Sequence, residues 1–141
     1  MNSRDLLFNT ARFNLSVVGE HFINPCCFGE DLAAWLRGKL ADKGIPASAP
    51  GQEDWGWYLS ANYAQRSYFL GMNGNPDVKG SDEGEWRIIV EKKRPLWEVG
   101  TRGGKIADDD PMLKILEQIV HETADFTNVH FEVQAQLFRE W

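Results

Sequence analysis

A chain of 141 residues, 43% hydrophobic and 26% charged, has the size and composition of one globular domain. Its formal net charge of −6 repels nucleic acid and anionic membranes, and its 12% aromatic content, with six Trp, argues against a disordered chain. No stretch approaches the roughly 18–20 apolar residues of a bilayer span, and the N-terminal residues lack the charged, apolar and small-residue order of a signal peptide.

A chain of this size buries roughly 68–70% of its unfolded surface. One core is therefore feasible without staples. The two cysteines, Cys26 and Cys27, are adjacent, so no disulfide framework can form. The expectation is a soluble protein of the reducing cytoplasm.

In chain order, Phe13, Leu15 and Val17 alternate with Asn14 and Ser16, which predicts a first strand. Leu32, Trp35, Leu36 and Leu40 fall at helical spacing, and Gly44 stands at a C-cap position, so a helix is predicted over about 29–43. "IPASAPGQ" is a short connection. From Trp55 to Tyr63, period 2 puts Trp55, Trp57, Leu59, Ala61 and Tyr63 on one strand face. "AQR" turns the chain, and "SYFLGM" returns to complete a hairpin.

"NGNPDVKGSDEG" is a long loop rich in turn formers. "EWRIIVEKK" is a strand with Trp86, Ile88 and Val90 on one face, and "RPLWEVGTRGGKIA" is a second long loop. Asp110 is the N-cap of a helix that opens on Pro111 and carries Met112, Ile115, Leu116, Ile119 and Val120 as its apolar stripe. Asp108 and Asp109 add negative charge where the helix dipole favours it. Val129, Phe131 and Val133 mark a last strand. The fold class expected is α+β, one domain over 1–141. Its order is β-α-β-β-β-α-β, with a mostly antiparallel sheet and two helices packed on one face.

Motifs for chemistry are few. Glu53 and Asp54 precede two Trp, but neighbouring strand residues point to opposite faces, so the carboxylates diverge. Core packing explains Trp55 and Trp57 better than stacking on a base or sugar. Cys26 and Cys27 with His21 lack zinc-ligand spacing, and a buried thiol is the ordinary outcome. No nucleophile elbow is present. "GTRGGKIA" fails as a phosphate loop, because Val99 stands where its first Gly belongs and Ile106 where its hydroxyl belongs. No catalytic residue, metal site or cofactor is expected.

One cluster remains. Lys92, Lys93, Arg94, Arg102 and Lys105 place five of fifteen basic residues within fourteen positions, around Trp97. Trp and Arg are enriched in binding hot spots, and long loops often carry function. The candidate binding residues are Lys92, Lys93, Arg94, Trp97, Arg102 and Lys105. The plainer explanation is that these charges neutralise the acidic runs at 77–85 and 108–110 while Trp97 tucks onto the core.

The function expected is non-catalytic binding of a macromolecule, with a protein partner and neither nucleic acid nor membrane. The small, acidic, aromatic-rich profile is similar to that of bacterial immunity proteins against toxins, a similarity that no motif carries. The alternative is a small-molecule-binding or enzymatic domain with an aromatic pocket near Trp55 and Trp57. Self-association through the last strand is a third reading, since an exposed edge invites pairing.

Overall fold

The computed structural model describes residues 2–13, 20–22, 28–76, 84–92, 106 and 109–135. In chain order the elements are β1 (Asn2–Thr10), α1 (Glu30–Asp42), β2 (Gly51–Glu53), β3 (Gly56–Tyr63), β4 (Arg66–Pro76), β5 (Gly84–Lys92), α2 (Pro111–His121) and β6 (Thr127–Ala135). Among the described residues, six strands form one sheet in the order β2-β3-β4-β5-β1-β6. Every neighbouring pair is antiparallel. The class is α+β, and the expected order holds with one three-residue strand, β2, added.

Both helices cover the same sheet face. Leu6 and Phe8 of β1, Trp57, Leu59 and Ala61 of β3, Tyr68, Leu70 and Met72 of β4, and Trp86, Ile88 and Val90 of β5 are buried there. Leu32, Leu36 and Leu40 of α1 and Met112, Leu116 and Ile119 of α2 close over them in one core. An aromatic stack fills one end. Phe8 lies parallel to Phe126 at 4.4 Å, and Phe13 meets Trp35, Trp86 and Phe126 edge-on.

The helix boundaries follow their local chemistry. α1 spans Glu30–Asp42, and Gly44 takes the left-handed φ of +77° just beyond it. The Asp110 side chain accepts from the Met112 N–H, and Pro111 opens α2. Leu113, rather than Ile115, is the fully buried partner of Met112 and Leu116.

Several expectations are corrected. The first strand is Asn2–Thr10, ahead of the alternating stretch at Phe13–Val17. Phe13 itself is buried outside that strand, and residues 14–19 lie outside the described set. The reason is position. β1 sits between β5 and β6, and its consecutive residues Asp5, Leu6, Leu7 and Phe8 are all buried, so burial on both faces leaves no apolar–polar alternation to read. The loop expected from Asn73 begins later, because β4 continues to Pro76, which pairs with Gly84.

Trp55 and Trp57 also part company. β2 and β3 form a tight hairpin with Glu53 opposite Gly56, and Asp54–Trp55 make its turn. Trp57 is buried beneath the helices, while Trp55 crosses to the other face and lies over Gly71. The glycine between them is required by close approach. A Cβ on Gly56 would collide with the Met72 carbonyl oxygen of β4.

Candidate functional site

Of the six residues expected to bind, only Lys92 is among the described ones. Lys93, Arg94, Trp97, Arg102 and Lys105 lie outside them. The Lys92 ammonium sits 3.5 Å from Oδ2 of the buried Asp110. Oδ1 of the same carboxylate accepts from the Tyr68 hydroxyl at 2.9 Å and from the Met112 N–H at 2.9 Å. Tyr68 and Lys92 are cross-strand partners on β4 and β5, so the sheet register delivers both groups to the start of α2. Lys92 thus holds a helix cap to the sheet. Burial, and next the hydrogen bond to Asp110, push the Tyr68 phenol well above its ordinary pKa.

The sheet face turned away from the helices carries two different surfaces. Toward β1, β5 and β6 it is charged. Asp5 is fully buried, with the Arg87 guanidinium 2.8 Å from its Oδ2. Arg87 also reaches Glu132 at 3.8 Å, and His130 lies 3.6 Å from Glu132. Leu7 and Ile89 are buried on this same face.

Toward β2, β3 and β4 the face is aromatic. Trp55, Tyr58 and Phe69 are half-buried there. Tyr58 and Phe69 stack with centroids 5.4 Å apart and planes 21° from parallel, and Trp55 meets Phe69 edge-on at 6.1 Å. Two glycines make room for these rings. The Tyr58 ring covers Gly51, where a Cβ would approach Cε1 to 2.6 Å, and the Trp55 ring covers Gly71, where a Cβ would approach Cη2 to 2.6 Å. Asn73 closes the inner edge. Its Nδ2 donates to the Trp55 carbonyl, and its Oδ1 is buried with no partner among the described residues. Glu53 and Asp54 are exposed at the hairpin tip, and Glu91 is the cross-strand partner of Phe69.

This platform escaped the sequence reading because period 2 was carried through a turn. The signal that could have found it is the placing of Gly51 and Gly71 on a strand face shared with Tyr58 and Phe69.

Two concave regions bear on the pocket reading. A space of about 150 Å³ lies at the start of α1 among Phe22, Phe28, Gly29, Glu30 and Asp31, beside Trp57 through a 5.3 Å contact between Phe22 and Trp57. It falls below the roughly 300 Å³ at which small-molecule sites begin. His21 stands at its margin, 2.7 Å from Glu30. Cys26 and Cys27 lie outside the described residues. A wider, open depression of about 600 Å³ follows the outer side of α1 past Ala34, Gly38 and Ala41 to Pro46. Among the described residues its lining holds one ionisable group, Arg37, whose Nε donates to the Ala47 carbonyl. Glu53 and Asp54 border neither space.

Among the described residues, no three His, Cys, Asp or Glu converge as metal ligands, and no helix is long and apolar enough to cross a membrane. No protein-family model, curated protein or solved structure matches the chain.

Proposed function

We propose that this protein is a non-catalytic binding domain, and that its recognition surface is the aromatic face of β2–β4. The observation that carries this reading is the platform of Trp55, Tyr58 and Phe69, seated on Gly51 and Gly71 on the face the helices leave bare. Strand-borne rings laid over glycines are already ordered, so a partner binds them at little entropic cost. Trp and Tyr are typical anchors of such surfaces.

The chemistry around the rings suggests a partner. Glu53, Asp54 and Glu91 border the platform, and the chain as a whole carries −6. Carboxylates beside aromatic faces favour a basic protein surface, where Arg and Lys stack and pair together. The same charge disfavours nucleic acid and anionic membranes. The absence of a cysteine framework in the sequence supports a cytoplasmic location.

Titration of the labelled protein with an arginine-rich hexapeptide, followed by NMR, tests the reading. Shifts should concentrate on the Trp55 indole and the rings of Tyr58 and Phe69, and Trp55→Ala should remove them. An acidic hexapeptide should leave the spectrum unchanged. Shifts elsewhere, or shifts that survive Trp55→Ala, would overturn it. A response to a neutral oligosaccharide but not to the peptide would instead favour the small-molecule reading of the same rings.

A further inference from the structure

The two edges of the sheet are treated differently. At one edge β2 is three residues long, and beyond it the chain segment 46–48 straps the open side of β3. Ser48 N–H donates to the Ser60 carbonyl at 2.8 Å, Asn62 N–H donates to the Pro46 carbonyl at 3.2 Å, and Ala47 bridges Ala61. At the other edge, β6 runs for nine residues, TNVHFEVQA, and pairs with β1 on one side. It has no Pro and no Lys, the residues that usually blunt an edge. Among the described residues no strap crosses it.

The order of residues along β6 is self-complementary about Phe131. In an antiparallel pair related by a two-fold axis at Phe131, that residue meets the partner's Phe131. His130 then stands opposite the partner's Glu132, and Glu132 opposite the partner's His130. Val129 stands opposite the partner's Val133. Phe131 and Val129 are half-buried against the core on the helix face. His130 and Glu132 share the other face, 3.6 Å apart. Every central pair is thus apolar with apolar or base with acid; the Val129–Val133 and His130–Glu132 pairs arise twice by symmetry, and the Phe131 pair, on the axis, once. The left-handed Asn128, at φ 53°, and the register shift near it end the regular stretch, so five pairs from 129 to 133 form the seam.

We infer that β6 is a dimerisation edge, at which two copies of this chain join antiparallel about Phe131 into one continuous sheet. Five strand pairs make a small interface, so the dimer is reversible. This edge lies at the opposite end of the sheet from the aromatic platform, so the two proposals stand or fall separately.

Sedimentation velocity on the whole chain, from about 1 μM to 1 mM, tests it. Wild type should pass from monomer to dimer within that range. H130E sets Glu against the partner's Glu132 twice and should weaken the dimer by roughly 2- to 30-fold. H130K keeps opposite charges in register and should stay within about 3-fold of wild type. A chain that stays monomeric at every concentration, or a dimer indifferent to H130E, would overturn the proposal. Amide exchange on wild type gives a check that needs no variant. Exchange at residues 129–133 should slow as concentration rises, and exchange independent of concentration there would equally overturn the assignment.

Discussion

Tyr68 and Asp110 lie 42 residues apart in the chain and are joined by a 2.9 Å buried hydrogen bond. The same Asp110 oxygen caps α2, and the other oxygen faces Lys92. One carboxylate therefore couples a helix start, a strand tyrosine and a strand lysine. Asp110→Ala should cost about 2–4 kcal/mol in urea unfolding, combining a lost cap with a stranded phenol. Tyr68→Phe removes only the hydroxyl and should cost about 1 kcal/mol.

The raised Tyr68 pKa has a signed consequence. In the unfolded chain the phenol loses its proton near pH 10, while in the folded chain it keeps it. The folded state then binds more protons, so stability falls as pH rises above about 10. Below that value the contribution is fully present. Wild type should therefore lose stability across this alkaline window faster than Tyr68→Phe. Equal slopes for the two proteins in pH-dependent urea titrations would count against the buried hydrogen bond.

The β3–β4 hairpin turns on Ala64 and Gln65, both at positive φ, 51° and 64°. A two-residue turn of this kind is best made by Asn-Gly, whereas a residue with a Cβ is strained there. Ala64→Asn with Gln65→Gly should stabilise the protein by about 1 kcal/mol or more. Thermal unfolding would show the gain as a higher Tm.

Gly56 faces a backbone atom, the Met72 carbonyl, which no rotamer change can move aside. Gly56→Ala should destabilise by about 1–3 kcal/mol. Gly38→Ala provides the control, since a Cβ there meets nothing within 4 Å and alanine favours the helix. A Gly56→Ala protein as stable as wild type would refute the close approach.

Arg12 clasps Asp125 through two contacts, Nη2 to Oδ1 at 2.6 Å and Nε to Oδ2 at 3.0 Å. Its guanidinium lies 5.9 Å from the Trp35 ring and 5.7 Å from Phe126. Both partners are nearly half exposed, so the clasp should contribute only about 0.5–1 kcal/mol. The hydrogen bond from Arg12 holds the Asp125 carboxyl below its usual range. A lowered pKa means the contribution is present above about pH 3.9 and lost as pH falls below it. Asp125→Asn should be less stable than wild type at pH 7, and the gap should close in acid. A gap unchanged by pH would assign the effect to packing.

Much of the fold was legible where local chemistry and periodicity agree. α2 announces itself through Asp110, Pro111 and an apolar stripe, and α1 through Leu32, Leu36 and Leu40. Trp86, Ile88 and Val90 mark β5 because its helix-side face alternates cleanly. β1 was missed because a central strand buried on both sides has no alternation to detect. The platform was missed because the turn at Asp54–Trp55 sends neighbouring tryptophans to opposite faces. The loop of Lys93, Arg94, Trp97, Arg102 and Lys105 lies outside the described residues.

By itself, the sequence determined what short-range forces control: two helices with their caps, the strands with clean alternation, enough apolar surface for one core, and a negative charge. Only the tertiary structure decided the sheet order, which sets β1 between β5 and β6, and the meeting of Tyr68, Lys92 and Asp110. The physical reason is that backbone hydrogen bonds between strands are the same for every sequence. Which strands pair is chosen by how side chains from distant segments fill a shared core, and the length and composition of any one segment do not contain that choice.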